Sequence, residues 1–223
     1  MIDHSLLKPD VTLGDLQAFA GVCREYAFRC ACVNSCHTAT MAELLEGSGV
    51  LVAPTVGFPL GAAATTAKAA EAHHARESGA GEVDMVINIG LLKSGQVDAV
   101  REDIQAVVDA VQGLTVKVIL ENCYLTDEEK VLGCRLAIQA GARFVKTSTG
   151  FGSGGATVED VALMHREVSG AGLQVKAAGG IRDLDAALAM VGAGASRLGV
   201  SAGDQLADEF ARRYPDGWQA PTG

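Results

Sequence analysis

Seven lysines occur in the 223 residues, and three of them interrupt short apolar runs. The runs are Thr115-Val116-Lys117-Val118-Ile119-Leu120-Glu121, Phe144-Val145-Lys146-Thr147-Ser148-Thr149 and Leu173-Gln174-Val175-Lys176-Ala177-Ala178. A lysine is almost never fully buried without a partner, a cavity or an exit to water. A single case is usually an ammonium that snorkels or pairs with a carboxylate, but three on successive runs point to one shared cavity. An unperturbed lysine, with a pKa near ~10.4, is protonated at neutral pH and a poor nucleophile. A second ammonium about 6 Å away, at an effective dielectric of about 20, opposes protonation by about 2.8 kcal/mol, or about two pKa units. Burial lowers the value further, which is a route to an amine that forms Schiff bases with carbonyl compounds.

The run Val83-Asp84-Met85-Val86-Ile87-Asn88 supplies a carboxylate, with Asp84, Val86 and Asn88 on one face of an extended strand. Asp84 suits two roles that do not exclude each other: partner of a buried lysine, or proton carrier acting directly or through water. Glu121 is four residues beyond Lys117 and is expected on the same face, where it would stabilise that lysine. Two glycine-rich stretches, Ala178-Gly179-Gly180-Ile181-Arg182 and Arg197-Leu198-Gly199-Val200-Ser201-Ala202-Gly203, offer backbone N–H groups to an anion.

These residues need a scaffold that brings distant runs together. Apolar runs near residues 2–6, 28–33, 50–56, 82–88, 115–121, 142–148, 173–178 and 195–199 alternate with helical patterns near 13–26, 36–46, 62–78, 96–112, 127–140, 157–169, 183–192 and 203–213. Thr126 before Asp127-Glu128-Glu129, and Thr157 before Glu159 and Asp160, mark helix starts. Eight strand–helix units predict a closed α/β (β/α)8 TIM barrel, with residues 1–223 forming one domain. An open doubly wound sheet would carry G-x-G-x-x-G after its first strand, and none is there. In a barrel the chemistry sits at the C-terminal strand ends, and phosphate sites favour the loops after strands seven and eight. The two glycine-rich stretches fall in those loops.

Composition narrows the function classes. A net charge of −9 argues against nucleic acid and anionic membrane as partners. The longest uncharged run, 47–67, contains Pro54 and Pro59 and is not a membrane span. The start Met1-Ile2-Asp3-His4-Ser5 lacks a signal-peptide pattern, so a cytoplasmic location is expected. Six cysteines are too sparse for a disulfide scaffold. Cys30, Cys32, Cys36 and His37 cluster in sequence, but Cys30 and Cys32 read as small core residues of one strand face, and no metal site is expected. His73-His74 falls in a helical segment and reads as surface.

The chain resembles the deoxyribose-phosphate aldolase family of class I aldolases. The resemblance runs in order through residues 2–9 (Ile-Asp-His-Ser-Leu-Leu-Lys-Pro), 56–61 (Val-Gly-Phe-Pro-Leu-Gly), 82–90, 117–121, 144–151 (Phe-Val-Lys-Thr-Ser-Thr-Gly-Phe) and 175–182 (Val-Lys-Ala-Ala-Gly-Gly-Ile-Arg). It implies reversible cleavage of 2-deoxy-D-ribose 5-phosphate to D-glyceraldehyde 3-phosphate and acetaldehyde, without metal or other cofactor. By resemblance Lys146 is the Schiff-base lysine, Lys176 the second lysine that perturbs it and moves protons, and Asp84 the acidic member of the relay. The residues alone leave open which lysine attacks. Lys117, Thr147 and Cys32 match positions near the substrate, and Gly150, Gly179, Gly180, Gly199 and Ser201 match the phosphate region. The expected partners are a small sugar phosphate and aldehydes, and the resemblance implies a homo-oligomer, a dimer. Ser5 and Val200 stand where the family commonly has Thr, and Val200 thereby removes one hydroxyl from the phosphate loop. Rival readings are another class I aldolase or transaldolase on a sugar phosphate, separated by activity on acetaldehyde against dihydroxyacetone, and a non-catalytic sugar-phosphate-binding barrel.

Overall fold

The computed structural model describes residues 1–218. Eight strands, β1 (Ile2–Leu6), β2 (Cys30–Val33), β3 (Leu51–Val56), β4 (Glu82–Val86), β5 (Thr115–Ile119), β6 (Phe144–Lys146), β7 (Gln174–Ala178) and β8 (Ala195–Val200), close into a barrel in sequence order. Every pairing is parallel, and β8 returns to β1 through Asp3 opposite Gly199. The helices are α1 (Leu13–Glu25), α2 (Thr38–Leu44), α3 (Thr65–Glu77), α4 (Ile89–Lys93), α5 (Val97–Ala110), α6 (Asp127–Gln139), α7 (Val158–Val168), α8 (Leu184–Gly192) and α9 (Gly203–Arg213). This is the (β/α)8 barrel expected from the alternation. The short α4 was not anticipated. Its five residues are too few to show a helical period, and it starts because the Asn88 side chain accepts a hydrogen bond from Leu91 N–H.

Local signals act where the sequence put them. Thr126 and Glu129 close a reciprocal capping box on α6, and Thr157 caps α7 through Asp160 N–H. Val and Leu on the outward phase of the strands pack against the helices: Val83, Met85, Val116, Val118, Val145 and Val175 belong to one buried cluster with Ile104, Leu136 and Met164. Strand alternation then aims the other phase, which carries the charges, into the barrel. No described helix is long and apolar enough to cross a membrane.

The barrel interior is filled in levels contributed by alternate strands, the arrangement such barrels use. The lowest level holds Cys30, Glu82, Phe144 and Arg197 from the even strands. Above it lie Asp3, Ala53, Lys117 and Lys176 from the odd strands, and then Cys32, Asp84, Lys146 and Gly199 from the even ones. In an ordinary barrel these places go to branched apolar residues; here most carry charge.

Candidate active site

Lys146 and Lys176 are register partners on β6 and β7, and Lys117 is the register partner of Asp84 on β5 and β4. Asp84 joins all three. Its Oδ2 lies 2.8 Å from Lys146 Nζ and 2.8 Å from Lys176 Nζ, and its Oδ1 lies 2.7 Å from Lys117 Nζ. The structure thus brings together the three expected relay residues, Lys146, Lys176 and Asp84.

It does not open all three lysines onto one shared cavity at the barrel mouth. Lys117 and Lys176 are fully buried beneath it, and only Lys146 reaches the cavity. The reason is the level each strand contributes. Lys117 sits low enough to meet Glu82 Oε2 at 2.7 Å, and Lys176 meets Asp3 Oδ2 at 2.6 Å. Glu121 does not stabilise Lys117. The chain leaves β5 after Ile119 and takes a left-handed conformation at Glu121, φ +57°, which breaks the strand alternation. Its carboxylate instead accepts from Thr149 N–H, at 3.1 Å, and from the Thr149 hydroxyl. Asn88 likewise serves as the α4 cap, because β4 ends at Val86.

Three further charged residues of the interior, at or below the level of Lys117 and Lys176, were missed. Asp3 Oδ1 accepts from Arg197 at 2.7 Å, and Glu82 Oε2 accepts from the same guanidinium at 3.1 Å. The signal was the one that exposed the lysines, a charge on the inward phase of an apolar run, and Asp3, Glu82 and Arg197 all show it. With them the charges can be counted. Among the described residues the interior network holds four cations, Lys117, Lys146, Lys176 and Arg197, against three carboxylates, Asp3, Glu82 and Asp84. One cation is in excess. Lys117, Lys176 and Arg197 each touch at least two carboxylates, whereas Lys146 touches Asp84 alone and shares that oxygen with Lys176. Lys146 is therefore the amine whose deprotonation balances the interior.

The titration directions agree. Burial pushes Lys146 below the ordinary lysine value against the pull of Asp84, and the Lys176 ammonium pushes it the same way. Burial also opposes charge on Lys176, but Asp3 and Asp84 outweigh it and hold that amine well above the usual range. Lys117 is likewise raised against burial, first by Asp84. Burial alone would raise Asp84; the ammonium groups of Lys117, Lys146 and Lys176 hold it well below the usual carboxylate range.

Above Lys146 opens a cavity of about 560 Å³, within the range of small-molecule sites. Gly150, Gly179, Gly180, Gly199 and Ser201 all line it, as do the departures Ser5 and Val200. Gly179 and Gly180 have φ of +85° and +76°, and a Cβ on the facing Gly155 would lie 2.3 Å from the Gly179 carbonyl oxygen. Only glycine lets the loops after β6 and β7 meet backbone to backbone beside the cavity. At Gly199 a Cβ would fall 2.9 Å from Lys176 Cε, so glycine there makes room for that lysine. Exposed Lys8 and Arg182 also line the cavity, two cations for which strand periodicity gave no signal because both lie in loops.

Of the remaining expected residues, Thr147 is buried and spends its hydroxyl on the Ala178 carbonyl and N–H, tying β6 to β7. Cys32 lies beneath the cavity with its sulfur 3.5 Å from Lys176 Nζ, and burial raises its thiol. Cys30 sits at the lowest level, Cys36 is exposed, and His73 and His74 lie on the exposed face of α3. Asp3, Cys30 and Glu82 come within ligating distance of one another, but Arg197 occupies their midst.

Residues 49–205 match the family described as DeoC/LacD family aldolase. The chain belongs to that family. It is 53% identical over 209 residues, covering 93% of each chain, to a deoxyribose-phosphate aldolase of Geobacillus sp., and 55% identical over 204 residues, 91% of each, to deoxyribose-phosphate aldolase 1 of Bacillus licheniformis. Among solved structures, the deoxyribose phosphate aldolase of Aeropyrum pernix, described as tetrameric, superposes with a TM-score of 0.88 at 34% identity, covering 94% of this chain and 88% of that one. The aldolase QR15 superposes with a TM-score of 0.91 at 38% identity, covering 96% and 95%. Lys146 is the last residue of β6, at the C-terminal end of the strands where barrels of this kind carry their chemistry.

Proposed function

We propose that the protein is a class I lyase that reversibly cleaves 2-deoxy-D-ribose 5-phosphate to D-glyceraldehyde 3-phosphate and acetaldehyde. The observation that carries this reading is Lys146, the least-paired cation of a buried network with one positive charge too many, and the one member of that network that lines the cavity of about 560 Å³.

Neutral Lys146 adds to the C1 carbonyl of the open-chain sugar and loses water to form an iminium. The C2–C3 bond then breaks. Its electron pair moves into the iminium to give the enamine of acetaldehyde, while the C3 hydroxyl gives up a proton and becomes the aldehyde of glyceraldehyde 3-phosphate. Protonation of the enamine carbon and hydrolysis release acetaldehyde and restore the amine. Asp84 touches the Lys146 nitrogen and Lys176, so protons pass along Asp84, Lys176 and cavity water. The phosphate is held by the loops after β7 and β8, at the N-termini of α8 and α9, with Lys8 and Arg182 at the rim. Relatives at 53% and 55% identity that are named for this reaction support the substrate assignment.

The same proposal takes residues 1–223 as one cytoplasmic barrel domain that self-associates as a dimer, a state sedimentation would measure. Borohydride reduction in the presence of acetaldehyde is expected to trap a covalent adduct on Lys146, located by mass spectrometry of the digested protein. An adduct on Lys176 alone, or none, would overturn the assignment.

A further inference from the structure

The lowest level of the barrel lies under the reacting amine and lines no part of the cavity, yet its charges belong to the same network. Glu82 is the first residue of β4, two before Asp84, and its carboxylate binds Lys117 at 2.7 Å and Arg197 at 3.1 and 3.4 Å. Arg197 also holds Asp3, which in turn holds Lys176, and its guanidinium lies 5.2 Å from the centre of the Phe144 ring. A continuous chain of contacts therefore runs from Arg197 through Asp3 and Lys176 to Asp84 and Lys146, and a second from Glu82 through Lys117 to Asp84. We propose that Glu82 and Arg197 are positioning residues that set how many protons the lysine cluster carries, and so keep Lys146 as the one uncharged amine. This inference rests on the Schiff-base reading of Lys146.

Electroneutrality of a water-poor interior carries the case. An unbalanced charge in a low-dielectric core is costly and is relieved most cheaply by moving a proton. Among the described residues seven charged side chains face this core: Asp3 from β1, Glu82 and Asp84 from β4, Lys117 from β5, Lys146 from β6, Lys176 from β7 and Arg197 from β8, with the thiols of Cys30 and Cys32 from β2 beside them. β3 contributes no charge, its inward residues being Leu51, Ala53 and Thr55. At the open floor, half-exposed Arg29 reaches Glu82 at 3.5 Å, and the Met1 amino group lies near Arg197 and Asp3; both are screened by water. With four cations against three carboxylates the cluster sheds one proton. Glutamine at 82 would leave two cations in excess and favour the neutral amine more strongly. A neutral residue at 197 would balance the interior with Lys146 still protonated. The two changes act in opposite directions on a residue that neither touches, and loss of packing alone would not reverse sign.

The test measures the pH dependence of acetaldehyde trapping on Lys146 in the full-length protein, comparing wild type, Glu82→Gln, Arg197→Met and the double variant. Glu82→Gln is expected to move the midpoint acidward by about one pH unit and Arg197→Met alkaline by about as much, the scale of a unit charge roughly 9 Å away at an effective dielectric of about 20. The double variant returns near the wild-type midpoint. Midpoints that stay within about 0.3 of wild type, or that move in the same direction, overturn the inference while the wild-type adduct upholds the aldolase reading. If Arg197→Met does not fold, Glu82→Gln decides alone, an acid shift supporting and any other result refuting. A wild-type protein that forms no adduct instead overturns the reading on which the inference rests.

Discussion

Two buried lysines in this molecule are prepared for opposite ends. Lys68 of α3 is fully buried in the helix layer behind β4, where its Nζ lies 2.6 Å from Asp103 Oδ2 and 2.9 Å from the Val86 carbonyl oxygen; Thr65 donates to the other Asp103 oxygen at 2.9 Å. It has a carboxylate to itself, and its stem runs so close over Gly57 that a Cβ there would lie 2.9 Å from Lys68 Cε. Lys146 shares its one carboxylate oxygen with a second ammonium and opens on a cavity. Burial lowers both amines, but only at Lys146 does a neighbouring cation push the same way. Burial is thus common to a structural ammonium and the amine proposed to react; what separates them is whether the counter-charge is shared and whether the nitrogen opens on a cavity.

The largest test of that contrast replaces each lysine with methionine. Lys146→Met is expected to remove at least about 10⁴-fold of the turnover and all adduct formation, because the proposed covalent intermediate forms on the Lys146 nitrogen. Lys68→Met is expected to hold kcat within about threefold while costing about 3–5 kcal/mol of stability, since it strands Asp103 in the interior. Denaturant unfolding alongside initial rates separates the two. Comparable activity losses in both variants would show that the contrast in counter-charge does not decide reactivity.

Next in size is the removal of the competing ammonium. Lys176→Leu leaves three cations and three carboxylates, so Lys146 keeps its proton more tightly. A lowered amine becomes less lowered, its value rises by about one to three units, and the pH profile of trapping moves alkaline. At neutral pH adduct formation falls by about 10- to 1,000-fold. An unchanged profile would mean that burial alone tunes Lys146.

The sequence made the barrel and half of this network readable for a single reason. Strand alternation is strict, so a charge among valines had to point inward, and Lys117, Lys146, Lys176 and Asp84 were found on that rule. The rule failed where the strand stopped. Glu121 sits two residues beyond Ile119 at positive φ, and Asn88 lies past Val86, so neither keeps the face that counting assigned. Depth within the barrel was hidden for a different reason: it depends on the stagger between strands, which periodicity along one strand does not contain. Lys117 and Lys176 were therefore expected in a shared cavity that, of the three strand lysines, Lys146 alone reaches. Lys68 lay in a helix, where a buried cation looks like a surface one until its partner Asp103, 35 residues away, is placed beside it.

A third cation extends the contrast to the other extreme. Arg182 lines the cavity but is exposed, in the loop between β7 and α8. On the proposed mechanism the covalent step belongs to Lys146, and Arg182, whose charge unlike that of Lys68 stays in water, contributes attraction for the substrate phosphate. Arg182→Gln should raise KM for the sugar phosphate by about tenfold, the scale of one charge-assisted hydrogen bond, with kcat changed less than about twofold. The effect should shrink as salt rises from about 0.05 to 0.5 M, because screening acts on exposed charges and hardly on buried ones. Acetaldehyde carries no phosphate, so its trapping on Lys146 should not respond to the substitution. A loss of trapping in Arg182→Gln would place that guanidinium in the electrostatics of the lysine cluster, and the division between a dry interior that prepares the amine and a wet rim that holds the anion would fail.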